Sequence, residues 1–238
     1  MSLKVRINYS PNFNTKKRAK KSIKFLIFHY TGMTSEKGAI RRITNIQSEV
    51  ASHYLIKDNG EVVIFVPDLY IAWHAGVSAW KKYNFLNQNS IGVEISNPGH
   101  QFGYKKFSSK QINSLIKLSR FLIKKYKINK KNILGHSDVA PLRKKDPGEK
   151  FPWEYLAKKN IGYWHNLKKN ELTKVRNKKC NKILKNKFFT YLYKIGYSKN
   201  YKNKNEKLLI KTFQRRFRPQ LINGIVDQEC LLISKNLA

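Results

Sequence analysis

Cysteine is nearly absent from this chain: Cys180 and Cys230 are the only two in 238 residues. Two thiols so placed propose no disulfide framework, exclude a cysteine metal site or a thiolate nucleophile, and make a reducing compartment the simpler reading. Long apolar runs are also missing, and none approaches the roughly 20 residues that cross a bilayer. The first ten residues, Met1 to Ser10, hold no apolar segment followed by a small-residue cleavage site. A cytoplasmic location is therefore expected, with a periplasmic one as the alternative. Acidic residues are scarce, with 14 Asp and Glu against 49 Lys and Arg, a formal charge of +35. The excess is mostly lysine, spread along the whole chain among many Asn and Ile, as compositional drift in an AT-rich genome produces. Such a polycation is also drawn to a polyanionic polymer. Neither a zinc finger nor an RNP-like aromatic pair accompanies it, so nucleic acid is not an expected partner.

Apolar residues make up 41% and aromatics 13% of the chain, enough for a packed core of one ordinary domain plus a small second one. Residues 1–20 are polar and run into Lys16-Lys17-Arg18-Ala19-Lys20-Lys21, which reads as a loosely held basic arm. Strand-like runs follow at 23–29, 51–57, 62–66, 90–96 and 132–136. Asp58-Asn59-Gly60-Glu61 joins the second and third as a hairpin, since Asn-Gly accepts positive φ. Helical patterns cover 35–50 and a longer segment that opens with Ser108 and Gln111 in capping-box spacing. Ile112, Leu115, Ile116, Leu122, Ile123 and Tyr126 then fall on one face. Strands alternating with amphipathic helices predict an α/β (α+β) core, a sheet covered by helices.

The richest segment is Gly135-His136-Ser137-Asp138-Val139-Ala140-Pro141-Leu142-Arg143-Lys144-Lys145-Asp146-Pro147-Gly148. Its Pro and Gly forbid one continuous helix, and a loop of this kind can fold His136 and Asp146 back onto one ion. His29, at the tip of the apolar run Ile23 to Phe28, is the candidate third ligand. Two imidazoles and one carboxylate leave a tetrahedral zinc one open position, the layout of a catalytic site. Asp138 competes with Asp146 for the carboxylate role. Glu94 is the one carboxylate within the apolar run Ile91-Gly92-Val93-Glu94-Ile95, where a charge is costly to bury unless paired or functional.

These residues belong to a longer succession. Phe28-His29-Tyr30-Thr31-Gly32, Ser52-His53-Tyr54-Leu55-Ile56, Ala72-Trp73-His74-Ala75-Gly76, Ser90-Ile91-Gly92-Val93-Glu94-Ile95, Gly135-His136-Ser137-Asp138, Lys144-Lys145-Asp146-Pro147-Gly148 and Phe151-Pro152-Trp153 follow one another in that order. Together they resemble the zinc-dependent N-acetylmuramoyl-L-alanine amidases of the AmpD and AmiD type, to which the peptidoglycan recognition proteins also belong. The resemblance implies a central mixed β-sheet flanked by helices and a Zn2+ cofactor held by His29, His136 and Asp146. Asp138 is then left to shape the loop or to accept a hydrogen bond from a metal-bound imidazole. It further implies Glu94 as the general acid–base group and Lys144, two residues before Asp146, as support for the oxyanion. His53, Trp73 and His74 become substrate-contact positions, with Trp80 a second stacking face, while His100 and His165 fit no motif. The implied reaction is hydrolysis of the amide between N-acetylmuramic acid, or its 1,6-anhydro form, and L-alanine. The implied partners are peptidoglycan and muropeptides. A non-catalytic peptidoglycan-binding protein of the same fold is the alternative, because some relatives keep the fold and lose a ligand. A monomer is assumed.

On this reading the amidase domain spans 21–165, followed by a charged linker at 166–180. Residues 181–238 recover apolar content and form a small three-helix domain. Its Lys211-Thr212-Phe213-Gln214-Arg215-Arg216-Phe217-Arg218-Pro219 and Asn223-Gly224-Ile225-Val226-Asp227 resemble three-helical peptidoglycan-binding domains, an arrangement of the AmiD type.

Overall fold

The structure, a computed structural model, describes residues 3–238. Its strands are β1 (Val5–Ile7), β2 (Phe13–Asn14), β3 (Phe25–Tyr30), β4 (Tyr54–Ile56), β5 (Val62–Ile64), β6 (Ile71–Ala72), β7 (Ala79–Trp80), β8 (Tyr83–Asn84), β9 (Ser90–Ile95) and β10 (Ile133–Gly135). The α-helices are α1 (Glu36–Thr44), α2 (Ser109–Tyr126), α3 (His136–Val139), α4 (Trp153–Lys158), α5 (Lys169–Val175), α6 (Lys182–Ile195), α7 (Lys199–Phe217) and α8 (Gln228–Leu237). A six-stranded mixed sheet runs β1-β5-β4-β9-β3-β10, with only the β4–β5 hairpin antiparallel. The α/β architecture with a central mixed sheet is the one expected.

Parallel strands are covered on both faces, so their sequences are apolar on both sides. Along β3, Leu26 and Phe28 pack with Ile91, Val93 and Ile95 of β9 beneath α2, whose Ile112, Leu115, Ile116 and Leu122 are buried there. The helix is set by its capping box: Ser108 Oγ accepts the Gln111 amide at 3.2 Å, and Gln111 Oε1 accepts the Ser108 amide at 2.9 Å. Phe25 and Ile27 face the other way, into a cluster with Phe188, Phe189, Leu192, Leu209, Phe213 and Phe217. Helices α6–α8 therefore roof the second face of the sheet and share its core.

That packing changes two expectations. The segment expected as a loose basic arm supplies β1, which extends the sheet parallel to β5. Its Arg18 is buried, with Nε and Nη2 donating to the Asp68 carbonyl at 3.2 and 2.8 Å and Nη1 to Asn87 at 2.9 Å. Lysine-rich sequence hides an edge strand and one buried guanidinium. The segment expected as a linker carries α5, whose Leu172 enters the shared core, and Arg176, which grips buried Glu229 through Nε at 2.6 Å and Nη2 at 2.8 Å.

Candidate active site

The chemistry-bearing residues gather at the carboxyl ends of the parallel strands, where open α/β sheets place their ligands. His29 lies near the end of β3, Glu94 near the end of β9, and His136 directly follows β10. His29 and Glu94 are register partners, so both side chains leave the sheet on the face opposite α2. The loop after His136 returns through the Ser137 amide, which donates to the Asp146 carbonyl at 2.8 Å. That bond brings the Asp146 side chain back to the histidines.

Three atoms converge there. His29 Nδ1 lies 2.9 Å from His136 Nδ1, and Asp146 Oδ2 lies 3.1 Å from the first and 3.0 Å from the second. The hydrogen bonds around them fix the tautomers. Ser90 Oγ donates to the Leu86 carbonyl at 2.6 Å and so accepts from His74 Nε2 at 3.1 Å. His74 Nδ1 is then the acceptor facing His29 Nε2 at 3.0 Å, which must carry the proton. His136 Nε2 faces the Ala75 carbonyl at 3.2 Å, the shorter of its two contacts, with Arg143 Nη2 at 3.4 Å; donating to that carbonyl leaves its Nδ1 without a proton. Both Nδ1 atoms are thus bare and point, with a carboxylate oxygen, at one spot. Three acceptors so arranged repel one another unless a cation lies between them. A tetrahedral ion with ligands at about 2.0–2.2 Å spaces them roughly 3.3–3.6 Å apart, close to the triangle seen, so the residues fit a zinc ion.

Electrostatics agree. Burial, then His136, pushes the His29 imidazole down to about 4, which keeps it a neutral ligand. Burial works against ionising Asp146, yet His136 and His29 hold its carboxyl well below the usual carboxylate range. Glu94 is half-buried, and its Oε2 is shielded from solvent with no hydrogen-bond partner among the described residues. Burial first and Asp146 second push its carboxyl up to about 8, against an opposing pull from Lys144. A cleft of about 580 Å³ opens over this group, lined among others by Trp73, His74, Glu94, His100, Lys144 and Asp146.

The expected substrate contacts divide. Trp73 lines the cleft and is pinned by its Nε1, which donates to Asn14 Oδ1 at 2.6 Å. His74 touches the cleft from beneath, its ring laid over Gly92 so closely that a Cβ there would sit 2.5 Å from the imidazole. Its partner is His29. His53 is fully buried behind the site, accepting the Gly92 amide at Nδ1 (3.0 Å), and is no part of the cleft wall. Trp80 is also buried, stacked edge-on against Tyr197 at 4.8 Å, and offers no face to a ligand. Asp138 has no hydrogen bond to His29 or His136 among those of its side chain. It accepts from the Gly135 amide at 2.7 Å, from Tyr197 Oη at 2.9 Å and from Arg216 Nη1, so it shapes the loop. His100, which no motif marks, stands at the cleft rim between Tyr30 Oη (2.9 Å) and Glu149 Oε2 (3.0 Å). The Gly-His pair after Asn97-Pro98 is its only sequence signal, and it is a weak one.

A family model described as N-acetylmuramoyl-L-alanine amidase matches residues 19–149. N-acetylmuramoyl-L-alanine amidase AmiD of Escherichia coli is 34% identical over 229 residues, 90% of this chain and 82% of that relative. 1,6-Anhydro-N-acetylmuramyl-L-alanine amidase AmpD of Haemophilus influenzae is 40% identical over 113 residues, 47% of this chain and 59% of that relative. Among solved structures, Escherichia coli AmiD in complex with anhydro-N-acetylmuramic acid-L-Ala-D-gamma-Glu-L-Lys superposes with a TM-score of 0.80 at 33% identity. That match covers 94% of this chain and 91% of the other. AmpDH3 of Pseudomonas aeruginosa gives a TM-score of 0.79 at 28% identity over 95% of both chains.

Proposed function

The chain belongs to the N-acetylmuramoyl-L-alanine amidase family, and from that premise we propose that His29, His136 and Asp146 hold one zinc ion for cutting muropeptides. The enzyme hydrolyses the amide that joins N-acetylmuramic acid, or its 1,6-anhydro form, to L-alanine. Zinc, when bound, supplies a Lewis acid for the scissile carbonyl and lowers the pKa of water. Glu94 takes the proton of the attacking water and passes it to the departing nitrogen. Its position beside His29 and its raised pKa suit both halves of that transfer. Lys144 places an ammonium on the same cleft, where it stabilises charge developing on the carbonyl oxygen. Trp73 provides an aromatic wall for the sugar or stem peptide.

The observation that carries this reading is the meeting of three bare donor atoms with a half-buried carboxylate, its Oε2 shielded and without a partner among the described residues, in one cleft. A receptor that only binds peptidoglycan has no use for Glu94 in that setting. The test is to load the purified chain with zinc and give it an anhydromuropeptide. Appearance of peptide with a free L-alanine amino group supports the enzyme. Muropeptide binding without release, at full zinc occupancy, overturns it in favour of the receptor. Cys180 and Cys230 are both free thiols, which suits a reducing, cytoplasmic compartment. Cell fractionation decides between that and the periplasm.

A further inference from the structure

Consecutive arginines of α7 reach the two ends of the loop that carries the metal ligands. Arg216 is 2% exposed and Asp138, two residues after His136, is 1% exposed; they form an ion pair through Nη1 and Oδ2. Its Nη2 donates to the Ile133 carbonyl of β10 at 3.0 Å, and the guanidinium lies 4.1 Å from the Trp153 ring centre. One side chain thereby joins the strand before His136, the turn after it and α4. Arg215 Nε lies 3.4 Å from Glu149 Oε2, three residues after Asp146, an ion contact without a hydrogen bond. Glu149 in turn holds His100, which holds Tyr30, the neighbour of His29. Tyr201 Oη adds a bond to the Val139 carbonyl at 2.7 Å, and Tyr197 a bond to Asp138.

We infer that Arg215 and Arg216 are positioning residues that clamp the two ends of the His136–Asp146 loop, so that the C-terminal helices set the spacing of the zinc ligands. The physical reason is the loop itself. Nine residues between two ligands have many conformations, and ligand placement must hold to a few tenths of an ångström for tight binding. The Ser137–Asp146 backbone bond closes the loop but does not anchor it to the sheet. Arg216 supplies that anchor with a fork matched to a carboxylate and a carbonyl. The same cation neutralises Asp138, whose charge would otherwise be buried within the loop.

The inference rests on reading His29, His136 and Asp146 as zinc ligands, and the experiment separates the two. Zinc affinity is measured by chelator competition on the full chain, together with hydrogen exchange of residues 136–146 and thermal melting. Arg218→Gln is the control, because Arg218 is fully buried and pairs with Asp227 within the C-terminal helices, away from the loop. Arg216→Gln is expected to weaken zinc binding by about 10–100-fold and to raise exchange across 136–146, with Arg216→Lys recovering part of the loss. Arg218→Gln is expected to lower the melting temperature with zinc affinity kept. Should Arg216→Gln not fold, Arg216→Lys and the half-buried Arg215→Gln carry the test, each with a smaller loss of affinity and a more exchangeable loop. Equal melting losses in the Arg216 and Arg218 variants, with zinc affinity and loop exchange as in the parent, would overturn the clamp alone. Absence of zinc binding in the parent chain would overturn the ligand reading on which the clamp depends.

Discussion

His29 and Glu94 stand side by side on neighbouring parallel strands, register partners on the face opposite α2. The proposed metal ligand and the carboxylate thus share the rigidity of the two central strands, with no loop between them. The pairing makes separate predictions for the two residues. Glu94→Gln keeps the shape and removes the ionisable carboxyl of a side chain whose Oε2 has no partner among the described residues. Zinc content and melting temperature are expected to stay level or rise, while turnover falls by about 10²–10⁴, the usual worth of general acid–base catalysis. Loss of zinc in this variant would move Glu94 from catalysis to ligation.

His136→Ala removes one corner of the donor triangle and leaves a bare imidazole and a carboxylate. The variant is expected to lose stoichiometric zinc, read by metal analysis after dialysis, and with it all measurable hydrolysis. Full zinc content with full activity would show that the ion sits elsewhere.

Lys144→Ala removes a half-buried ammonium from the cleft wall without changing a proposed ligand. Turnover is expected to fall by about 10²–10³, the cost of one oxyanion donor, with KM and zinc content little changed. The same substitution at exposed Lys145 is the comparison, and an equal effect at both sites would remove the special role of Lys144.

Much of this site is legible in the order of the residues. The alternation Ser90-Ile91-Gly92-Val93-Glu94-Ile95 assigns Ile91, Val93 and Ile95 to one face and Glu94 to the other. The strong punctuation of residues 135–148 marks a loop that can return Asp146 to His136. Contact between distant segments is what the sequence conceals. The Lys and Arg excess makes Arg18 and Arg216 look like two surface cations among 49, although both are buried and bonded. Histidine spacing does not separate a cleft residue from an internal one, so His53 and His74 read alike. Their roles part only because Gly92 and Ser90 of β9 draw one ring under His29 and leave the other behind it.

Buried, neutral His53 makes the fold sensitive to acid. Burial, then Arg18, pushes its imidazole down to about 3 from an ordinary 6.5. The unfolded chain therefore takes up the proton first as pH falls. The stability that this residue contributes is complete above about pH 6.5 and is lost progressively toward pH 3. Denaturant midpoints are expected to drop between pH 7 and pH 5, and to drop less in His53→Gln. Parallel pH slopes in the two proteins would exclude His53 as a source.

Removing residues 181–238 tests what the C-terminal helices are for. A free-standing wall-binding module could be deleted with hydrolysis of small anhydromuropeptides unchanged and only action on insoluble peptidoglycan reduced, since anchoring raises local concentration. The packing argues for a different result. Truncation bares Phe25, Ile27 and Leu134 on one face of the sheet, each worth about 1.5–3 kcal/mol of burial when fully covered. It also leaves Asp138 without Arg216 and Tyr197, and breaking a buried pair by removing one partner costs about 3–5 kcal/mol. Together these exceed a large share of the roughly 5–15 kcal/mol that holds a typical domain folded. The truncated chain is therefore expected to melt much lower, bind zinc weakly, and lose soluble and insoluble substrates together. Assays of both substrates, zinc content and melting on one preparation check this. Retained zinc and full activity on the soluble muropeptide would restore the helices to the part of a separable anchor.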